Sequence, residues 1–153
     1  MSLAVKIYRV GNFFHRKKMK IIGKLLSGVN RVLFSTWIPS SADIGKNFTV
    51  GYWGLGVVIH SNSKIGDNCL VSQNVTIGRN FGDTKVPVIG NDVYIGAGSV
   101  VFGEIIIGDN VIIGSNSLIN KSVPDNCTVV GNPMRIISRD RGVKYYEIDN
   151  KKL

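Results

Sequence analysis

Aliphatic residues recur along the middle of the chain at Ile44, Val50, Ile59, Ile65, Val71, Ile77, Ile89, Ile95, Val101, Ile107, Ile113 and Ile119. The spacing is six residues, apart from one gap of nine and one of twelve. Helices repeat every 3.6 residues and strands every two, so a fixed short period predicts a solenoid. Each six-residue unit makes one flat side, and three sides close a triangular coil of roughly 18 residues. The anchors point inward. The fifth position of the unit (Ser63, Cys69, Val75, Val93, Ser99, Val111, Ser117) is small or β-branched and suits a narrow interior. Eight of the twelve anchors are followed by Gly. Gly there is expected at corners, for positive φ or because a side chain would crowd the next coil.

Residues 1–39 read differently. Ile21, Ile22, Leu25, Leu26, Val29, Val32 and Leu33 follow helical spacing, with Lys24 and Arg31 between them, and predict one or two helices. Trp37-Ile38-Pro39 ends that segment. The organisation expected is a helical segment over 1–39, a β-helix over 40–137 with an extruded loop at 79–88, and a tail over 138–153 forming a loop or short strand. Lys6, Arg9, Arg16, Lys17, Lys18, Lys20, Lys24 and Arg31 precede residue 43 without a single acid, and they carry nearly all of the net charge of +9. Two readings stand for this segment: a cap on the open end of the prism that packs on neighbouring subunits, or a basic amphipathic surface for an anionic membrane. Nucleic acid fits less well, because Phe13 and Phe14 alone are interleaved with the bases and no recognition motif is present. Two cysteines, Cys69 and Cys127, are too few for a disulfide framework. With no signal-peptide pattern and no long apolar run, a cytoplasmic location is expected.

Chemistry is expected where the rhythm breaks. One break is the nine-residue unit Val50–Val58, which carries Tyr52 and Trp53. The other is Arg79–Pro87, where strict counting would bury Asp83, so the segment must leave the prism. His60 and Gly78 both follow an anchor and stand one coil apart, which puts the loop beside His60. His60 is then either a solvated corner residue or a general base. His15, in the helical segment, is not expected to be catalytic.

The stretches Gly54-Leu55-Gly56-Val57-Val58-Ile59-His60, Gln73-Asn74-Val75-Thr76-Ile77-Gly78, Pro87-Val88-Ile89-Gly90, Ile95-Gly96-Ala97-Gly98-Ser99 and Val130-Gly131-Asn132-Pro133 resemble the hexapeptide-repeat acyltransferases. Within these they are similar to the serine acetyltransferase branch, which includes small sugar and polysaccharide O-acetyltransferases. The resemblance implies a mainly β fold, a left-handed parallel β-helix, assembled as a homotrimer with acetyl-coenzyme A between adjacent prisms. It implies coenzyme contacts at Gly78, Gly96, Ala97, Gly114 and Ser115, phosphate contacts at Lys121 and Arg135, and no metal. The residues themselves, apart from the resemblance, make Tyr52, Trp53, Asp83 and Lys85 the expected acceptor contacts and His60 the expected base.

The chain also departs from that branch, whose catalytic His residues fall in the segment matching Tyr52-Trp53 and before the loop proline. Here those places hold Tyr52 and Trp53, and Val86. Three outcomes stay open: His60 takes over as base, another group acts, or the chain is a trimeric scaffold without activity. Tyr52 and Trp53 offer a stacking face, which favours O-acetylation of a sugar or glycan precursor over serine. N-acetylation of an amino sugar is the close alternative. A carbonic anhydrase on a similar prism needs three His ligands, and this chain has two His in all.

Overall fold

The computed structural model describes residues 1–148; positions 149–153 of the expected tail lie outside the described residues. Two helices, α1 (Leu3–Arg16) and α2 (Lys20–Phe34), precede a parallel β-helix of triangular section. Its first face stacks β1 (Asp43–Ile44), β4 (Lys64–Ile65), β7 (Val88–Ile89) and β10 (Ile106–Ile107). The second stacks β2 (Thr49–Val50), β5 (Leu70–Val71), β8 (Tyr94–Ile95), β11 (Ile112–Ile113) and β13 (Thr128–Val130), closed by β14 (Arg135–Ser138). The third stacks β3 (Val58–Ile59), β6 (Thr76–Gly78), β9 (Val100–Phe102) and β12 (Leu118–Ile119). All twelve anchors are buried, and so are the small residues at the fifth position, which makes one continuous apolar axis.

Why Gly follows the anchors is half steric and half not as expected. None of these eight glycines has positive φ. The left-handed residues lie three past the anchor: Asn47, Asn68, Asp92 and Asn110 at the corner from face one to face two, and Asn74, Gly98 and Asn116 at the corner from face two to face three. Asn and Asp tolerate this region because their short polar side chains bond locally. Gly is needed for room. A Cβ on Gly66 would lie 2.5 Å from the Gly90 carbonyl oxygen, and one on Gly96 would lie 2.5 Å from the Ser115 nitrogen. Into that space the next coil sends a carboxyl or amide. Asn91 Oδ1 accepts from Asp67 N–H at 2.9 Å, and Asp125 Oδ1 accepts from Asp109 N–H at 2.8 Å. The Ile-Gly-Asp-Asn run is thus a corner with two side-chain ladders, one of them Asn110 Nδ2 donating to Asn126 Oδ1 at 2.9 Å.

Both ends of the prism are closed. Across the first coil, α1 buries Ala4, Val5 and Tyr8, and its Tyr8 hydroxyl donates to Ala42 O at 2.8 Å. Arg9 donates to the Ile44 and Gly45 carbonyls, and Asn12 to that of Ser40. At the far end β14 runs antiparallel to β13, unlike every pair inside the prism. After it Arg141 N–H bonds Asn126 O, and Lys144 and Tyr146 clasp Asp92 at 2.9 Å each, so residues 139–146 strap down the first corner. Beyond β14 the expected loop thus includes a helical turn, α3 (Tyr145–Ile148).

The helical spacing in α2 marks a face that is not buried. Ile21, Leu25, Val29, Val32 and Leu33 are exposed, while Gly23, Ser27 and Asn30 face α1 and the prism. The cause is close approach: a Cβ on Gly23 would lie 3.2 Å from Gly11 O, and Ser27 and Asn30 spend their side chains on Ser40 and Ala4 O. Among the described residues, no helix is long and apolar enough to cross a membrane.

Candidate active site

The corner from face three to face one differs from the other two. Three of the four anchors that lack a following Gly are here, with His60, Phe102 and Asn120 in that slot. Its one Gly, Gly78, has space around it, the nearest atom to an added Cβ being Thr76 Cγ2 at 3.7 Å. No residue three past its anchors is left-handed. This corner therefore has room for side chains where the others are filled by their neighbours.

The pairing of Ile59 with Ile77 puts Gly78 directly over His60. The loop leaves the prism at that point. Phe81 is fully exposed at its tip, Asp83 is half-buried, and Val86 and Pro87 re-enter the core surface. Lys85 pairs with Glu104 of the coil above, and that hydrogen bond raises its pKa. The spot where a Cβ on Gly103 would sit is 3.4 Å from the Asp83 carboxylate, so the loop lies back over that coil. Half-buried His60 accepts the Asn62 N–H at Nδ1, 3.1 Å away, which leaves Nε2 as the N–H end of the neutral ring. Lys121 follows β12 at the top of the same corner.

The remaining candidates gather at the opposite edge of face three. Gly51–Gly54 forms a 3-10 turn in which Tyr52 and Trp53 take left-handed φ of 46° and 62°. Both are exposed, and the Trp53 ring lies 5.5 Å from that of Phe34. Above them stack Gly96-Ala97 and then Gly114-Ser115, in register through Ile95 and Ile113. At the top, Arg135 pairs with Val130. Within one chain, then, Tyr52, Trp53, Gly96, Ala97, Gly114, Ser115 and Arg135 share one edge, and His60, Gly78, Asp83, Lys85 and Lys121 share the other. Among the described residues no group of three His, Cys, Asp or Glu could hold a metal.

One feature escaped the sequence reading. Trp37 pairs with Val58, so the first rung of the prism begins inside the segment read as helical, and Pro39 lies directly beneath His60. There a cavity of about 180 Å³ opens between the helices and this rung, lined by His15, Lys20, Lys24, Trp37, Ser41 and Ser61 among others. The signal was the nine-residue unit, which moves the coil repeat from 18 to 21 residues and aligns 37–41 under 58–62.

Comparison with known proteins follows the same lines. A family described as bacterial transferase hexapeptide (six repeats) matches residues 87–121. Serine acetyltransferase of Synechococcus elongatus is 36% identical over 98% of this chain and 62% of its own length. That of Helicobacter pylori is 34% identical over 90% of this chain and 81% of its own. The crystal structure of serine acetyltransferase in complex with coenzyme A from Brucella abortus superposes with a TM-score of 0.85 at 29% identity, covering 90% of this chain and 55% of that one. The chain thus spans about three fifths of the Synechococcus protein, and the solenoid it shares with these structures is the left-handed β-helix.

Proposed function

The chain belongs to the serine acetyltransferase family, and on that premise we propose that it transfers acetyl from acetyl-coenzyme A to a small hydroxyl-bearing acceptor. The sequence alone put a sugar or glycan first. The relatives named above are serine acetyltransferases, so a serine-like acceptor takes that place. The carrying observation is the third corner, where His60 lies under the extruded loop in the column of the prism that holds three of the four side chains found in place of Gly.

In this reading the acceptor oxygen attacks the thioester carbonyl as its proton passes to His60, and backbone N–H groups stabilise the oxyanion. Collapse of that intermediate breaks the C–S bond and expels the coenzyme A thiolate, which takes the proton from His60 and leaves as free thiol. As oriented, the lone pair of His60 accepts from Asn62. Turning the ring to free it costs one partly exposed hydrogen bond, about 0.5–1.5 kcal/mol, which leaves the base role accessible. The coenzyme groups, Gly78, Gly96, Ala97, Gly114, Ser115, Lys121 and Arg135, divide between two edges of one face. Tyr52 and Trp53 stand on one of those edges and Asp83 and Lys85 on the other. No single chain can close a cleft with both edges. A cyclic homotrimer sets the edge of one copy against the opposite edge of the next, and that supports the trimer. Contact of the basic helices with a membrane finds no support in the relatives and is not part of this reading.

The test is release of free thiol from acetyl-coenzyme A in the presence of L-serine, with glucosamine and a nucleotide sugar as competitors for the role. His60→Ala is expected to lower kcat by about 10²–10⁴-fold. His60→Gln separates the tasks: it restores a hydrogen-bond donor and no base, so recovery of activity would move His60 from base to donor. Thiol release unchanged in His60→Ala would remove the residue from the chemistry. A single-chain mass in sedimentation at micromolar concentration would contradict the shared cleft.

A further inference from the structure

We infer that the cavity beneath His60 binds the anionic group of the acetyl acceptor, a carboxylate or a phosphate. The inference deepens the transfer reading and depends on it for the word acceptor; the binding of an anion there does not. Position is the first ground. Ile59 N–H bonds Trp37 O at 2.9 Å, and the Ser41 hydroxyl donates to Ser61 O at 3.1 Å, so the cavity and His60 occupy consecutive rungs of one corner. The loop bounds His60 from above and the cavity from below.

Charge is the second ground. Lys20 and Lys24 line the cavity beside His15, and among the described residues no carboxylate does. The first acid in the chain is Asp43, and it is held by Arg16 at 2.8 Å. The three ion pairs among the described residues engage neither Lys20 nor Lys24. Beyond these cations the first turn of α2 carries no acid and its N-cap, Met19, makes no side-chain bond, so the positive end of that helix adds to the same field. Trp37, Pro39 and the lysine stems make walls of low polarity, which strengthen attraction to an anion over that at an open surface.

Size is the third. A cavity of about 180 Å³ is a little larger than the roughly 150 Å³ that accepts benzene. It takes an amino-acid head group or one sugar ring and is too small for the coenzyme. An acceptor seated by its anion here presents a hydroxyl upward to His60.

Trp37 reports occupancy directly, because Trp53→Phe leaves it the sole tryptophan. In that background, emission is titrated with inorganic phosphate, acetate and L-serine against sodium chloride at equal ionic strength, with uncharged serinol as control. Saturable change with phosphate or with the carboxylates, absent with chloride and serinol, is expected, and the two arms tell which anion the site prefers. Lys20→Gln with Lys24→Gln keeps the stems that wall the cavity and should weaken that binding by about tenfold or more. In the otherwise unaltered chain the same pair should raise the acceptor KM at least about tenfold and leave the KM for acetyl-coenzyme A within about twofold. No saturable Trp37 response, an equal response to chloride, or an unchanged acceptor KM overturns the inference. Should no acceptor release thiol, the transfer reading fails while the Trp37 titration still decides whether the cavity holds an anion.

Discussion

Two substitutions of the same kind, Gly66→Ala and Gly78→Ala, should move stability in opposite directions. Both glycines follow an inward Ile and look alike in sequence. At Gly66 the new methyl would lie 2.5 Å from Gly90 O and 2.7 Å from its carbonyl carbon, so two rungs must part by nearly the full deficit. Overpacking of this kind costs about 1–3 kcal/mol. It also displaces the Asn91 amide from Asp67 N–H, worth about 0.5–1.5 kcal/mol more. Against this stands the usual unfolded-state gain of about 0.4–1 kcal/mol on replacing Gly by Ala. A net loss of about 1–3 kcal/mol, at about 2–4 °C per kcal/mol for a chain of this size, lowers Tm by about 2–12 °C. Around Gly78 nothing lies closer than 3.7 Å, so the unfolded-state gain stands alone and Tm holds or rises by up to about 4 °C. Thermal melts by circular dichroism at one fixed protein concentration make the comparison, since assembly makes Tm concentration-dependent. Equal falls in the two variants would refute the claim that this corner, unlike its neighbours, has space for a side chain.

Three further outcomes follow from groups the prism buries. Burial pushes the Tyr8 hydroxyl up to about 12, partly offset by Arg9. A raised folded value means stability is whole below pH 10 and lost as pH climbs from about 10 toward 12, by at most roughly 2–3 kcal/mol. Denaturant midpoints between pH 8 and 11.5 should fall less steeply in Tyr8→Phe than in the parent; parallel slopes would contradict this. Burial likewise raises Cys69 to about 12, and Cys127 is fully enclosed, so a chromogenic disulfide reagent should count no thiol in the native protein and two after unfolding. Rapid native labelling of either would mean an opening that the closed axis does not allow. Lys144→Ala strips Asp92 of a cation and should loosen the C-terminal strap, read as faster amide exchange at Arg141 with Tm shifted by about 3 °C or less.

Much of this architecture is legible from the residues. Every anchor from Ile44 to Ile119 is inside, and the stacking of Gly78 on His60 follows from counting alone. Corners were harder, because their logic lies between coils. Gly66 is required by Asn91, which stands 25 residues away and belongs to another side chain's ladder. Periodicity in α2 announced a face without saying what would meet it. The small residues Gly11 and Gly23 let the helices approach so closely that the narrow polar side won and Ile21, Leu25 and Val32 were left outside. The two edges of the candidate site were legible as residues but not as a place, since neighbouring copies must bring them together. The cavity under His60 stayed hidden because Trp37 to Pro39 read as the end of the helical segment and serve as the start of the first rung.

The covers at the two ends have a bearing on how the molecule behaves in a crowd. A stack of parallel rungs is a template, and an unsealed rung offers its neighbour a row of ready acceptors. Tyr8, Arg9 and Asn12 spend their donors on the carbonyls of Ser40, Ala42, Ile44 and Gly45, and β14 turns against the direction of growth. A chain shortened to begin near Asp43 would lose the first of these stoppers and be driven to lengthen end on end into filaments.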